Sequence, residues 1–183
     1  MRNLLITVLF LVGISQINAQ TFIADAANSK LSVTGTSTLH DWECVAETFT
    51  GKVEATIENS NIKSINNFHF KLKAKSLKSG KSGMDKKMYD ALEEEDYPVI
   101  SFKGNQVKID GNQAVFIGEM SIAGNSRSIS APVKINYTNN KIHLVGKVGF
   151  ELTSFNIDPP KAMFGTITTG NEVVIHYEIN LKN

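Results

Sequence analysis

Residues 67–75 read NFHFKLKAK, and the order of those nine side chains decides the fold. Phe68, Phe70, Leu72 and Ala74 share one parity; His69, Lys71, Lys73 and Lys75 share the other. Side chains of a β-strand alternate between two faces, so this segment carries one apolar face and one strongly charged face. The charged face belongs in water. The apolar face looks either at a close-packed core or at a space kept for another molecule.

The same alternation recurs along the chain. Segments 31–37 (LSVTGTS), 49–59 (FTGKVEATIEN), 98–109 (PVISFKGNQVKI), 114–122 (AVFIGEMSI), 130–138 (SAPVKINYT), 141–152 (KIHLVGKVGFEL) and 171–181 (NEVVIHYEINL) join the opening segment, eight strands in all. Asp110-Gly111, Gly124-Asn125 and Asn139-Asn140 between them tolerate positive φ, which tight hairpins require. Short connections make consecutive strands antiparallel neighbours. The spacing therefore predicts an all-β fold: an eight-stranded antiparallel barrel, a single sheet curled on itself. A two-sheet sandwich would also bury one face per strand and is the alternative.

Two stretches interrupt this rhythm. In SGKSGMDKKMYDALEEEDYP (79–98), Met84, Met88, Ala91 and Leu92 fall on one helical stripe. Ser82 is placed to cap that helix, with Asp85 three residues on, and Pro98 stops it. The lysines come early and the acids late, against the helix dipole, so packing on the barrel must hold the helix. In TSFNIDPPKAMFGTITTG (153–170), Phe155, Ile157, Met163 and Phe164 would avoid water. The connection is expected to fold over one barrel end as a plug or lid.

Composition narrows the classes further. Met1-Arg2-Asn3 followed by the apolar run Leu4 to Ile14 and a polar stretch ending at Ala19 has the layout of an export signal. The run is too short to span a bilayer. Residues 1–19 are thus expected to be a signal peptide and 20–183 one domain, periplasmic or secreted. Losing Arg2 would bring 19 basic residues down to 18, level with 18 acidic ones. A nucleic-acid partner, which requires surplus positive charge, is not expected. Cys44 is the sole cysteine, so the chain has no internal disulfide, and a small buried apolar role suits it.

No catalytic or metal constellation emerges. Ser37, His40 and Asp41 lie close in sequence, yet adjacent strand residues diverge, and no G-x-S-x-G elbow exposes a serine. Trp42 beside them reads as an aromatic anchor at the barrel's closed end. His69, His143 and His176 lie on the outer parity of three different strands without ligand spacing. No metal and no cofactor is expected.

Four pieces in order, VTGTSTLHDWE, MDKKMYDALEEEDYPVISF, GEMSIAGNSRSISAPVKI and GFELTSFNIDPPKAMFG, resemble the YceI family over essentially the whole chain from Phe22 onward. That family comprises exported, lipocalin-like proteins that bind long isoprenoid or other amphiphilic chains. The resemblance implies that the apolar face of the opening segment looks into an internal channel. One departure is that Ala91-Leu92 stands where family members often carry a Phe-Phe pair, which would widen the entrance or shift ligand preference.

Eight strands enclose an interior that side chains can just fill, or that can hold one slender ligand. The inward inventory favours room: Ala55, Ala74, Gly118, Gly146 and Val148 fill little volume. Parity then gives the expected ligand-binding wall as Phe68, Phe70, Leu72, Phe102, Phe116, Met120, Ile135, Leu144, Val148, Phe150 and Ile175. Met88, Leu92, Phe155 and Phe164 are the expected gate. Lys78 and Lys81, ahead of the helix, are candidates for an anionic headgroup or a transient membrane-surface contact, and otherwise read as solvated loop lysines. The expected partner is a long-chain isoprenoid or amphiphilic lipid, bound without catalysis; two barrels could also pair as a homodimer. The competing readings are a filled barrel that acts through its outer surface, and a lipid-modifying enzyme.

Overall fold

The computed structural model describes residues 19–183; the expected leader lies, except for Ala19, outside the described residues. Twelve strands and one α-helix follow in order among them. The strands are β1 (Ala19–Ala24), β2 (Lys30–Ser37), β3 (Trp42–Ala46), β4 (Thr50–Glu58), β5 (Asn61–Lys73), β6 (Leu77–Lys78), β7 (Val99–Asp110), β8 (Gln113–Ile122), β9 (Asn125–Thr138), β10 (Lys141–Glu151), β11 (Lys161–Ala162) and β12 (Ile167–Lys182). The helix α1 (Ser82–Ala91) sits between β6 and β7.

All pairings are antiparallel, and the order β1-β4-β5-β7-β8-β9-β10-β12 returns to β1, giving a ring of eight strands. The alternating parity of the opening segment is therefore the alternation of a barrel wall. The closure is short, joining Ile23 to Lys182 and Ala24 to Leu181. Beyond it, β2 takes over the same edge of β12, from Glu178 to Thr169. Asn180 staples the handover: its amide N–H bonds the Ser29 hydroxyl, its carbonyl accepts from the Asp25 N–H, and its side chain donates to the Asn28 carbonyl. At the opposite end of the barrel, β3 and β6 extend the wall from β2. β6 is joined to β5 by the tight turn Ala74–Ser76.

Eight of these strands match the segments read from sequence, with longer bounds for several. The strand containing NFHFKLKAK begins six residues earlier, at Asn61, and hairpins with β4 through Asn59 and Ser60, both at positive φ. A bulge near Asn66 lets both Ile65 and Phe68 point inward. Ala74 is not on the strand but opens the turn that follows it.

α1 is shorter than the stretch 79–98. It ends at Ala91, and Glu93 takes positive φ, so Glu93, Glu94, Glu95 and Asp96 lie past it and the dipole conflict shrinks to Asp90. The cap also differs. Ser82 is the first helical residue, and the Asp85 carboxylate instead reaches back to the Ser79 N–H (2.8 Å) and hydroxyl (2.5 Å). These bonds hold its pKa below the ordinary aspartate value despite burial. Beyond the helix, Glu94, nearly fully buried, receives Lys75 at 2.8 Å.

Two apolar clusters occupy the barrel. One, at the β1 end, includes Phe22, Val53, Ala55, Ile65, Phe68, Ile135, Ile142 and Leu181. The other, beneath α1, includes Cys44, Ala74, Leu92, Met120, Ile122, Phe155 and Ile157. Cys44 is fully buried as its apolar character suggests, and burial pushes its thiol pKa up to about 11.

Candidate ligand-binding site

Between the two clusters the barrel is hollow. A cavity of about 200 Å³ runs along the inner faces of β12, β10, β8 and β5. Along β12 its wall extends from Val173 to Ile179, and at ~3.3 Å per residue this is a tube roughly 20 Å long. The tube ends where Ile135, Ile142 and Leu181 close the β1 end.

Of the expected wall, Phe70, Leu72, Phe102, Phe116, Met120, Leu144, Val148, Phe150 and Ile175 line the cavity, as do Met88 from α1 and Leu92 just past its end. Four expected residues do not. Phe68 is the hub of an aromatic cluster, 5.0 Å from both Phe102 and Phe116 between ring centroids, and its ring fills the slots left by Gly104 and Gly118. Ile135 packs in the closed end. Phe155 has the gate's apolar character but is wholly buried against Phe150 at 5.1 Å. Phe164 lies fully in solvent.

The origin of the space also differs from the sequence argument. Ala55 and Ala74 are fully buried in the clusters, and Gly118 makes way for Phe68. At Gly146 a Cβ would lie 2.6 Å from the Tyr177 ring. Only Val148 of the five small residues lines the hollow. The two glycines are thus sockets for aromatic rings, and the room lies between the clusters, reaching Met88 and Leu92.

The lumen offers a guest hydrocarbon and little else. Tyr177 brings a hydroxyl to its wall, which already donates to the Pro132 carbonyl at 2.7 Å. Burial pushes its pKa up to about 12, so it stays neutral. Among the described residues no buried side-chain nitrogen or oxygen lacks a partner. Such a tube recognises length and apolarity rather than a hydrogen-bonding pattern.

A second hollow of about 370 Å³ lies outside the first, under α1. The two share the walls Trp42, Met88, Leu92, Leu152 and Ile157, which form a partition. Trp42 is therefore at the α1 end, not the closed end. Its ring occupies the place a side chain at Gly35 would take, and its indole N–H donates to the Thr36 carbonyl at 3.0 Å. Met88 is the unbranched member of the partition and the easiest to displace. The stripe read from sequence is used in full, with Met84 and Ala91 lining the outer hollow.

This vestibule is rimmed by Lys81, Lys87 and Lys161, with His40 beside them and no carboxylate in its wall. The Lys81 ammonium lies 3.5 Å from the His40 ring, and Lys87 donates to the Lys161 carbonyl at 3.3 Å. Lys78 does not reach this rim. It donates to the Tyr89 hydroxyl at 2.9 Å and faces an adjoining groove with Asp41 and Glu43, which shares His40, Trp42, Lys81 and Met84 with the vestibule. Lys87 and Lys161 were not legible as site residues, because they meet only when α1 crosses over the β11 segment.

The Ser37 and His40 side chains serve a turn, to which Asp41 contributes its backbone oxygen. The Ser37 hydroxyl donates to the His40 carbonyl at 2.7 Å and accepts from the Leu39 and His40 amides, and His40 Nδ1 lies 2.7 Å from the Asp41 backbone oxygen. His143 faces Glu178 at 3.2 Å and His176 faces Thr34 at 3.0 Å, both on the outer wall. Among the described residues no three His, Cys, Asp or Glu side chains gather as a metal site.

A closed antiparallel barrel with a blind apolar tube and a polar-rimmed mouth defines a lipocalin-like architecture. The YceI-like domain model matches residues 22–181, and the chain belongs to that family. Three solved structures share the fold. Burkholderia cenocepacia BcnA superposes with a TM-score of 0.72 at 16% identity, covering 86% of this chain and 98% of that one. A polyisoprenoid binding domain from Saccharophagus degradans, implicated in plant cell wall breakdown, gives 0.63 at 12% identity, covering 88% and 97%. The Campylobacter jejuni YceI protein gives 0.60 at 15% identity, covering 73% and 80%. At these identities the likeness is one of fold. No curated protein matches the chain in sequence.

Proposed function

We propose that the protein is a non-catalytic carrier of one long-chain isoprenoid or amphiphilic lipid, exported by the leader expected over residues 1–19 and acting in the periplasm or outside the cell. The observation that carries the reading is the blind tube walled by Leu72, Met120, Leu144, Val148 and Ile175, with a lysine-rimmed vestibule at its one apolar mouth. The tail enters between Met88 and Trp42 and lies along β12, while the headgroup stays in the vestibule. The shared fold with the polyisoprenoid binding domain from Saccharophagus degradans supports the same ligand class.

Energetically the tail suffices. Each buried CH₂ is worth ~0.8 kcal/mol, so about ten carbons in the tube supply roughly 8 kcal/mol, micromolar binding before ordering costs. The headgroup adds selection. Lys81, Lys87 and Lys161 together suit a phosphate or carboxylate more than a neutral hydroxyl.

Solvent extraction of protein purified from its own cells, followed by mass spectrometry, tests the reading. One amphiphile with a long apolar chain per protein is the expected result. Protein that leaves the cell with nothing bound, and that fails to bind farnesol or farnesyl phosphate in vitro, overturns it.

A further inference from the structure

At the rim of the vestibule the chain exposes side chains that a soluble surface would normally hide. Phe164 is fully solvent-exposed, Met163 is 69% exposed and Leu39 is 64% exposed. They form one edge. Thr38 bonds the Thr166 and Thr168 backbone, β11 pairs with the start of β12, and Leu39 and Ala162 wall the same vestibule.

The backbone holds two of these side chains outward at a cost. Met163, Phe164 and Gly165 follow one another at φ values of 50°, 54° and 90°. Two successive non-glycine residues in the left-handed region, one aromatic, are disfavoured by roughly 1–2 kcal/mol each. Glycine or asparagine would relieve that strain and would not expose a phenyl ring. Strain that displays an apolar tip is a sign of contact with something outside the chain.

Charge identifies the contact. Lys81, Lys87 and Lys161 flank the same edge, and among the described residues none has a carboxylate within ion-pair distance. The acids near them along the chain, Asp85, Asp90 and Asp158, are not part of the vestibule wall, and Asp85 is held by Ser79; Asp41 lies in the adjoining groove, whose wall Lys81 shares. Apolar side chains projecting between unpaired lysines match an interface whose outside is anionic and whose inside is hydrocarbon.

We propose that this rim docks on an anionic lipid bilayer, with Phe164, Met163 and Leu39 entering the acyl boundary and the three lysines lying among the headgroups. Docked so, the mouth of the tube opens onto the membrane and a lipid need not cross water to reach it. The docking does not depend on what fills the barrel.

Sedimentation with phosphatidylcholine vesicles, with and without phosphatidylglycerol, is the test. The protein is expected to bind the phosphatidylglycerol vesicles and to be released by salt. Met163→Asn with Phe164→Asn, which suits the left-handed backbone, should weaken binding at least about tenfold. The same pair should leave farnesol binding unchanged, because neither residue touches the tube. Phe164→Cys carrying an NBD dye should brighten on those vesicles, whereas a dye at Val145→Cys, on the outer wall, should not. Buried Cys44 does not compete for the label. Binding that ignores phosphatidylglycerol, binding that survives the double Asn variant, or a dye response at both positions overturns the proposal. So does concentration-dependent self-association without lipid that buries residue 164, since the tip would then be a protein interface.

Discussion

Replacing Val148 by phenylalanine should close the tube without harming the barrel. Val148 lies on the inner face of β10, paired with Ile175, and lines the hollow between the Leu144 and Phe150 levels. The change adds four side-chain carbons at a point where the wall meets free space. A guest that must withdraw about four carbons loses ~3 kcal/mol, roughly 200-fold in affinity. Because the ring enters a void, stability should hold or rise slightly, unlike overpacking in a filled core, which costs typically 1–3 kcal/mol. Val145→Phe on the same strand faces outward and is the matched control. Titration of both variants with farnesol, read through Trp42 emission, and urea unfolding of both complete the assay. Val148→Phe that binds like wild type, or that loses several kcal/mol of stability, would refute a hollow at this level.

Other expectations concern the sockets, the mouth and the titrating groups. Gly51→Ala places a Cβ 2.5 Å from the Phe70 ring, so it should cost about 1–3 kcal/mol in urea unfolding, with partial recovery when Phe70→Leu is added. Removing Lys81, Lys87 and Lys161 together by alanine should weaken farnesyl phosphate at least about tenfold and leave farnesol unaffected, as measured by isothermal titration; equal effects on both would remove the headgroup role. Asp85 has a depressed folded pKa, so its contribution is present above the unfolded value of about 3.9 and is lost as pH falls through the lower folded one. Asp85→Asn should therefore flatten the acid limb of stability against pH, and Ser79→Ala should raise the Asp85 pKa seen by NMR. Cys44, buried with its thiol pKa near 11, should resist maleimide at neutral pH in the folded protein and react on unfolding.

The barrel was legible because most of its strands have one wet face and one apolar face. NFHFKLKAK gave the inward parity of Phe68, Phe70 and Leu72 correctly, since no bulge interrupts those five residues. Upstream, the Asn66 bulge breaks the alternation, which hid the first half of β5 and its hairpin. β1 adjoined the expected leader, and β6 and β11, of two residues each, carry no period to read. The site was less legible for a different reason. Parity says which way a residue points but not whether another side chain meets it there, so Phe68 and Ile135 read the same as Leu144. The vestibule draws on residues 37–44, 81–92 and 152–169, separate stretches that only tertiary packing unites. Phenylalanine is usually buried, so the sequence alone points Phe164 at the gate. Its exposure follows from the left-handed turn that carries it, which no apolar pattern announces.

The most direct measurement is the set of NMR contacts between farnesol and methyl-labelled protein. The account predicts chain-to-methyl NOEs at Leu72, Met120, Leu144, Val148 and Ile175, and none at Ile135, Ile142, Leu181 or outward-facing Val145. A bound chain that touches only surface methyls, or saturating farnesol that touches none of the five, would contradict it.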